Sequence, residues 1–347
     1  MEIRLIKKSE WEKLLAFNKA EYGEKHILTD KAYYNWQFDN FANPSPDSYF
    51  TVGLFDNKGE LVGTFGRFLL PYNFYGKTVQ GNCMANLIVK KSLRHLGFGY
   101  LLLEKAAVLG DIAIDHTINA AAWPMFMKAG WQGENLKRYI YIIKTPNALY
   151  NVPASAHKKL DHPARHFDAV KRFGPEADEF WSAVKSRYPI TIERSAAYLN
   201  WRYAENSLVD YKIFYAKNPE GRVAGFAILR FEDIRHDTGP AGVKAARVID
   251  LIAAADAEEF MLEGVIDYCR AEGADFIDYF SSGEFHKRAL LAAGFIDGDQ
   301  KPYDAIPILF NPLSTKRTHL NFAVKAPRFQ SLQDWYTTKG GGDQDRP

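Results

Sequence analysis

The sequence is poor in the features that would take it out of the ordinary run of soluble globular proteins. It holds two cysteines in 347 residues, Cys83 and Cys269, far apart and without a C-x-x-C spacing. No disulfide framework is expected from that count, and a reducing compartment is. Charge of one sign is also lacking: 44 Lys and Arg stand against 42 Asp and Glu, a formal charge of +2. Non-specific nucleic-acid binding, which needs a basic stripe making many phosphate contacts, is not expected. No apolar run approaches the ~18 residues of a membrane span. The N-terminus, MEIRLIKKSEWEKLL, turns charged at once where a signal peptide would be apolar. These absences predict a cytoplasmic protein with neither a membrane nor a nucleic-acid partner.

What is present is a globular composition, 47% hydrophobic and 14% aromatic, in a chain long enough for about two domains. The chain also repeats itself. Ala32-Tyr33-Tyr34-Asn35-Trp36-Gln37-Phe38 returns 165 residues later as Ala197-Tyr198-Leu199-Asn200-Trp201-Arg202-Tyr203. GELVGTFGRFLL from Gly59 matches GRVAGFAILRF from Gly221, Leu87-Ile88 matches Leu251-Ile252, and MKAGW ending at Trp131 matches LAAGF ending at Phe295. Four correspondences in one order at nearly constant offset imply two copies of one α+β unit. Periodicity gives the first copy the order β-α-α-β-β-β-α-β-α-β, ending with a strand over Tyr139 to Lys144. The expected division is 1–150 for the first unit, 151–330 for the second and 331–347 for a tail. The segment Pro146 to His166 reads as a linker. The last residues, GGGDQDRP, are expected to be disordered because they have nothing to bury.

The most informative turn follows the long strand. Leu87-Ile88-Val89 runs into Arg94-His95-Leu96-Gly97-Phe98-Gly99-Tyr100 and then a leucine-rich helix. Two glycines remove Cβ atoms that would block close backbone approach. The first helical turn offers unpaired N–H groups and the positive end of the helix dipole. That combination is an anion cradle. It is neither a P-loop nor the G-x-G-x-x-G dinucleotide turn.

In this context the turn resembles the GNAT superfamily of N-acyltransferases, whose signature reads V-x-P-x-x-[QR]-x-x-G-x-[GA]. Val89, Arg94, Gly97 and Gly99 match it, with Lys91 where proline is common. Asn119, Ala122, Gly130 and Trp131 fall at the spacing of the family's N-x-x-A-x-x-x-Y-x-x-x-G-F segment. With the repeat, the resemblance covers nearly the whole chain. It implies two tandem GNAT-like units, each a mixed, mainly antiparallel sheet flanked by helices, and acyl-coenzyme A as cosubstrate without a metal. By the same resemblance, Leu87 and Val89 contact the pantetheine arm through their backbone, and the amides of Arg94, His95, Leu96, Gly97, Phe98, Gly99 and Tyr100 hold the pyrophosphate. Asn119 meets the pantetheine, and a backbone N–H near Leu87 binds the thioester oxygen as charge builds on it.

The departures concern the proton-transfer groups. Phe126 occupies the cofactor-side position where many members carry the tyrosine that protonates the thiolate. The usual glutamate base is missing from Gly81-Asn82-Cys83-Met84-Ala85-Asn86, leaving His116 and Asp115 as the nearest candidates for a base. Cys83 reads as a packing residue, because direct attack by an amine needs no nucleophilic thiol. His157, Asp161, His162 and His166 have no ligand spacing, and Pro163 breaks any common face. The second copy lacks the cradle: Glu258 falls at Arg94, Met261 at Gly97 and Glu263 at Gly99. It is expected to bind no coenzyme A and to contribute to the acceptor site.

The resulting expectation is an N-acyltransferase acting on a small-molecule amine. An active first unit beside a degenerate second resembles the bacterial enzymes that acylate an amino sugar linked to a nucleotide. Tyr33, Trp36, Tyr72 and Trp201 are the candidates to stack on such an acceptor. A peptide, polyamine or antibiotic amine is the alternative acceptor, and a non-catalytic acyl-coenzyme A sensor the alternative class. No motif encodes the acyl length or the oligomeric state.

Overall fold

The computed structural model describes all residues except 40, 42, 43, 157–165, 235–241, 307, 309–319, 344, 346 and 347. In chain order the first half contains β1 (Glu2–Lys7), α1 (Trp11–Tyr22), α2 (Lys31–Phe38), β2 (Ser48–Phe55), β3 (Leu61–Phe74) and β4 (Lys77–Val89). It continues with α3 (Phe98–Ala107), β5 (Ile112–His116), α4 (Trp123–Lys128), β6 (Gln132–Asn135) and β7 (Lys137–Ile142). The second half contains β8 (His166–Val170), α5 (Pro175–Val184), β9 (Ile190–Ile192), α6 (Ala196–Leu199), β10 (Lys212–Lys217), β11 (Val223–Ile234) and β12 (Val243–Ala253). It closes with α7 (Glu258–Ala271), β13 (Phe276–Ser281), α8 (Lys287–Ala292), β14 (Ile296–Asp297) and β15 (Asn321–Lys325).

Two sheets result, with orders β1-β2-β3-β4-β5-β15-β6 and β8-β10-β11-β12-β13-β7-β14. The orders correspond position by position, and in each the central β4–β5 or β12–β13 pair is parallel while the other recorded ladders are antiparallel. The repeat extends to atomic detail. Asp30 caps α2 by accepting from Tyr33 N, and Ser195 caps α6 by accepting from Tyr198 N. Tyr33 lies 5.8 Å from Trp36 at 45°, and Tyr198 lies 5.9 Å from Trp201 at 45°. The hairpin turns at Gly59 and Gly221 both have φ +77°, a conformation that favours glycine.

The division into units departs from the expected one at both ends. One compact unit is Met1–Glu134 together with Leu320–Leu332; the other runs from Asn135 and includes the segment that begins at Gln333. The last strand of the first copy, β7, pairs with β13 in the second sheet, and β15 from the second copy pairs with β5 in the first. The copies have exchanged their seventh strands, so a boundary at 150 cuts through neither unit's real edge. The expected linker is also partly packed. Tyr150 and Val152 belong to the apolar core of the second unit, and Ser155 exchanges hydrogen bonds with Ile142. The histidines and aspartate at 157–162 lie outside the described residues. Among the described residues no cluster of side chains suited to a metal ion occurs, and no helix is long and apolar enough to cross a membrane.

The tail is a second correction. Trp335 to Asp343 and Asp345 are buried in the second unit, and a Cβ on Gly340 would sit 2.1 Å from the Tyr203 hydroxyl. What the tail buries is polar. Arg247 pairs with Glu232 at 2.6 Å, Arg230 with Asp345 at 3.0 Å, and Arg138 with Asp278 at 3.7 Å. Those charges balance. Lys339, 3.8 Å from Asp278, is the odd one. Burial drives its ammonium down to about 7, Arg247 adds to that, and Asp278 only partly opposes it.

The sign of the consequence follows. Between about 7 and the ordinary 10.5 the unfolded chain binds a proton that the folded chain does not, so this lysine makes stability climb with pH. Wild type is expected to gain stability from pH 7 to pH 9 relative to Lys339→Met, measured by denaturant unfolding across that range. Parallel pH profiles for the two proteins would contradict a buried, neutral Lys339.

Candidate functional site

The site of the first unit is built where β4 leaves β5. Their parallel pairing covers Gly81–Met84 against Ile112–Asp115 and goes no further. On its other side β4 is bulged: Ala85 faces Gly66 and Ile88 faces Thr64, so Asn86 and Leu87 together oppose Phe65. Asn86 absorbs the extra residue at φ +61°, which asparagine tolerates better than most residues. A bulge re-aims backbone groups. Here it turns the chain between Ala85 and Val89 out of the regular ladder at the mouth of the cleft.

A cavity of about 400 Å³ fills that cleft, lined by Leu87, Ile88 and Val89 on one side and by Asn119, Ala121, Ala122 and Met125 on the other. Arg94 and Gly99 lie at its end and also line an adjoining cavity of about 620 Å³ with Leu96, Gly97, Tyr100, Leu101, Pro124 and Lys128. Gly97 has φ +79° and leads directly into α3. A Cβ on Gly97 would meet nothing within 4 Å, and one on Gly99 only Met125 Sδ at 3.6 Å. The space before the first turn of α3 is therefore open, and the residues lining it include Lys128 and Arg94, the latter paired with Glu21. Arg94 spends its side chain on the scaffold: Nε donates to Val89 O at 2.8 Å and Nη2 to Glu21 at 2.9 Å. Its role is to fix the turn.

The far wall is held by the exchanged strand. Asn321 on β15 accepts from Ile118 N at 2.7 Å through its side chain, donates back to Ile118 O at 2.9 Å, and accepts from Thr117 N at 2.8 Å through its backbone. Thr117 is β-branched yet sits at φ +58°, a strained position that these bonds maintain. Asn119 follows and accepts from Ala122 N at 2.9 Å, closing the turn that leads into α4.

Several expected site residues fall elsewhere. Phe126 is buried between Phe65 and Trp131 in the core and lines neither cavity. Its missing hydroxyl thus leaves no gap in the cleft. His95 is exposed and Phe98 packs against the core, so any part they have in an anion cradle is through their backbone. His116 and Asp115 are buried on β5, opposite Phe322 and Ala323 of β15, and neither lines the two cavities. Tyr33 and Tyr72 are buried, Tyr72 with its hydroxyl 3.3 Å from Cys83 Sγ, whereas Trp36 and Trp201 are half-buried. Several lining residues were missed by the sequence reading, Met125, Lys128 and Tyr22 among them. Tyr22, at the end of α1, reaches the cleft and donates to Asn86 O at 3.3 Å, with its ring stacked 4.6 Å from His26. Nothing in the local sequence separates it from any other helical tyrosine.

In the second unit the equivalent helix start carries a carboxylate, on the wall of a cavity of about 300 Å³. Glu258, first residue of α7, accepts from Arg187 at 2.7 Å and lies 3.1 Å from His286 Nδ1. Burial works to raise its carboxyl, but His286 and Arg187 outweigh that and hold it below its ordinary value. Met261 is wholly buried, its sulfur 2.9 Å from where a Cβ on Gly225 would stand. A protein carboxylate thus occupies the position that an outside anion would need.

No family model matches the sequence, and no curated protein does. Solved structures do. The chain aligns over 94% of its length with 72% of a conserved Enterococcus faecalis V583 protein described as a probable N-acyltransferase, at TM-score 0.57 and 10% identity. It aligns over 93% with 72% of a GCN5-related N-acetyltransferase from Anabaena variabilis, at 0.59 and 10%. Saccharomyces cerevisiae N-myristoyltransferase, solved with myristoyl-CoA bound, aligns over 98% of this chain and 88% of its own, at 0.55 and 13%. The fold is the GNAT fold, in two units. At these identities the likeness extends to architecture, and the cleft between β4 and β5 must be read from its own residues.

Because Asn321 alone satisfies both backbone groups of Ile118, Asn321→Ala is expected to cost about 1–3 kcal/mol of stability. It should also loosen the Asn119 wall. Thermal or denaturant unfolding checks the first effect, and an unchanged midpoint would contradict it.

Proposed function

We propose that the first unit transfers an acyl group from acyl-coenzyme A to a primary amine. The observation that carries this reading is the paired cavity at the start of α3, with open space before Gly97 and Gly99 and the basic Lys128 on its wall. Amides of the first turn of α3 would hold the pyrophosphate, and the backbone of Leu87 and Val89 with Asn119 would hold the pantetheine arm. The cosubstrate supplies an activated thioester. The chain's own contribution is orientation and polarisation. The bulge at Asn86-Leu87 offers backbone N–H groups to an oxygen gaining negative charge, and α3 adds a favourable field at the anionic end.

Proton handling falls to Tyr22 in place of Phe126. Its hydroxyl stands at the bulge, next to the position assigned to the reacting carbonyl, and a phenol there can give a proton to a departing thiolate. The amine is ordinary in basicity if it resembles an α-amino group, so a fraction is neutral near pH 7 without a strong protein base. His116, behind the β5–β15 ladder, is a weaker candidate than it was in the sequence. A nucleotide-linked amino sugar is the finer form of this reading and rests on the organisation of the chain, an open helix start in the first unit and a carboxylate on the matching one in the second. A sensor that binds acyl-coenzyme A without turnover is the competing class.

Two expectations follow. Titration calorimetry should give one coenzyme A per chain, since Glu258 fills the second helix start. Gly99→Glu should abolish that binding while leaving stability within about 1 kcal/mol, because a Cβ there has room and an acidic residue suits a first helical turn. Retained binding in Gly99→Glu would move the cosubstrate elsewhere. Coenzyme A release with a panel of acyl donors and amines separates enzyme from sensor. In that assay Tyr22→Phe should lower kcat about 10²–10⁴-fold with acyl-coenzyme A affinity kept. An unaltered kcat would remove Tyr22 from proton transfer.

A further inference from the structure

Arg67, in the middle of β3, is 3% exposed, yet its Nε and Nη1 have no hydrogen-bond partner among the described residues. Its guanidinium lies 5.4 Å over the Phe50 ring. Burial drives its pKa down to about 10, and no carboxylate among the described residues pulls it back. Other buried arginines of this chain are paired: Arg194 with Asp250 at 3.2 Å and Arg247 with Glu232 at 2.6 Å. An uncompensated buried charge is among the costliest features a fold can hold, and a natural chain carries one where something outside the chain completes the pair.

The second copy shows that the fold does not ask for this charge. Arg67 stands opposite Met84 on β4, and the matching pair in the second unit is Leu229 opposite Val248. Leu229 is wholly buried in an apolar core. The same strand position is therefore satisfied by a leucine wherever structure alone decides.

Position points to the ligand. Met84 precedes Leu87 by three residues, which places Arg67 roughly 10 Å along β4 from the bulge. We propose that Arg67 binds an oxyanion, carboxylate or phosphate, carried by the amine acceptor of the first unit. The inference rests on the acyl-transfer reading for the word acceptor, but the anion site itself stands on the unpaired guanidinium. A planar fork of N–H donors suits both oxyanions, and a polyamine would be repelled.

Thermal unfolding of the full chain in sodium phosphate and in sodium acetate, against sodium chloride of matched ionic strength, tests the site without any turnover. Phosphate or acetate should raise the wild-type midpoint more than that of Arg67→Leu, whose remaining response belongs to the start of α3 and to the general effect of the salt, and Arg67→Leu without anion should melt at or above wild type; equal responses in the two proteins would overturn the site. Arg67→Lys should keep part of the anion response and serves if the leucine variant does not fold. In the coenzyme A release assay, amino acids, aminoalkyl phosphates and neutral alkylamines separate carboxylate from phosphate. Arg67→Leu should raise KM at least ~30-fold for the anionic amine and leave neutral amines unchanged. A wild type indifferent to both anions, or equal KM values in wild type and variant for every amine, overturns the proposal. An anion response without acylation of any amine would keep the anion site and remove the acyl-transfer reading.

Discussion

The pairing of β15 with β5 is the interaction on which the first unit depends. Through it a segment beginning some 200 residues later in the chain completes a sheet, satisfies Ile118 through Asn321 and keeps Thr117 at a positive φ. Asn119 and the start of α4 then stand at a fixed distance from the bulge of β4. A cleft formed by two diverging strands would otherwise be free to close, since apolar walls such as Leu87, Ala122 and Met125 gain by meeting. Holding it open takes a rigid element on the far side, and the exchanged strand is that element. Phe322, wholly buried on the same strand, anchors it in the sheet.

Duplication gives the two units the same skeleton and opposite electrostatics. Both long strands lead to a helix start, where four amides lack helical acceptors. In the first unit two glycines leave that end open to an anion, with Lys128 beside it. In the second, Glu258 supplies the anion from within the chain, and Arg187 with His286 neutralises it. The helix dipole, worth about 0.3–1 kcal/mol at such a position, is thereby satisfied permanently. A second anion would meet Glu258 at short range, and repulsion between unit charges at 4 Å, about 1 kcal/mol in water and several-fold more near a protein surface, exceeds that gain.

How much of this is legible in the sequence depends on the range of the physics involved. Strand and helix extents and the hairpin turns are local, and periodicity with glycine placement shows them; a strand is expected over Tyr139 to Lys144, and β7 runs Lys137–Ile142. The exchange of β7 and β15 is not local. KRYIYI and NFAVK are short apolar strands that suit either sheet, and their partners are set by packing that no window of sequence contains. The tail misleads for a related reason. GGGD reads as disorder by composition, but its glycines let backbone approach Tyr203 and the charged groups around Asp278 and Asp345. Phe126 follows the family spacing and still faces the core, and Tyr22 reaches the cleft from a helix that carries no motif. Spacing fixes a residue's place along an element, while the face it presents is decided by what packs against that element.

A duplicated chain also carries its own control for separating structure from function. Where both copies keep a feature, the fold accounts for it: the caps at Asp30 and Ser195, the turns at Gly59 and Gly221, and the tilted ring pairs at Trp36 and Trp201. Where the copies differ at a matched position, one of them shows what the fold accepts when nothing else is asked of it. Leu229 in place of Arg67 and Glu258 in place of Arg94 are such differences, and each changes charge. Since stability alone selects against an unpaired buried charge, the guanidinium of Arg67 calls for a cause outside the protein. One backbone position has been solved twice in the same chain, with arginine in one copy and leucine in the other.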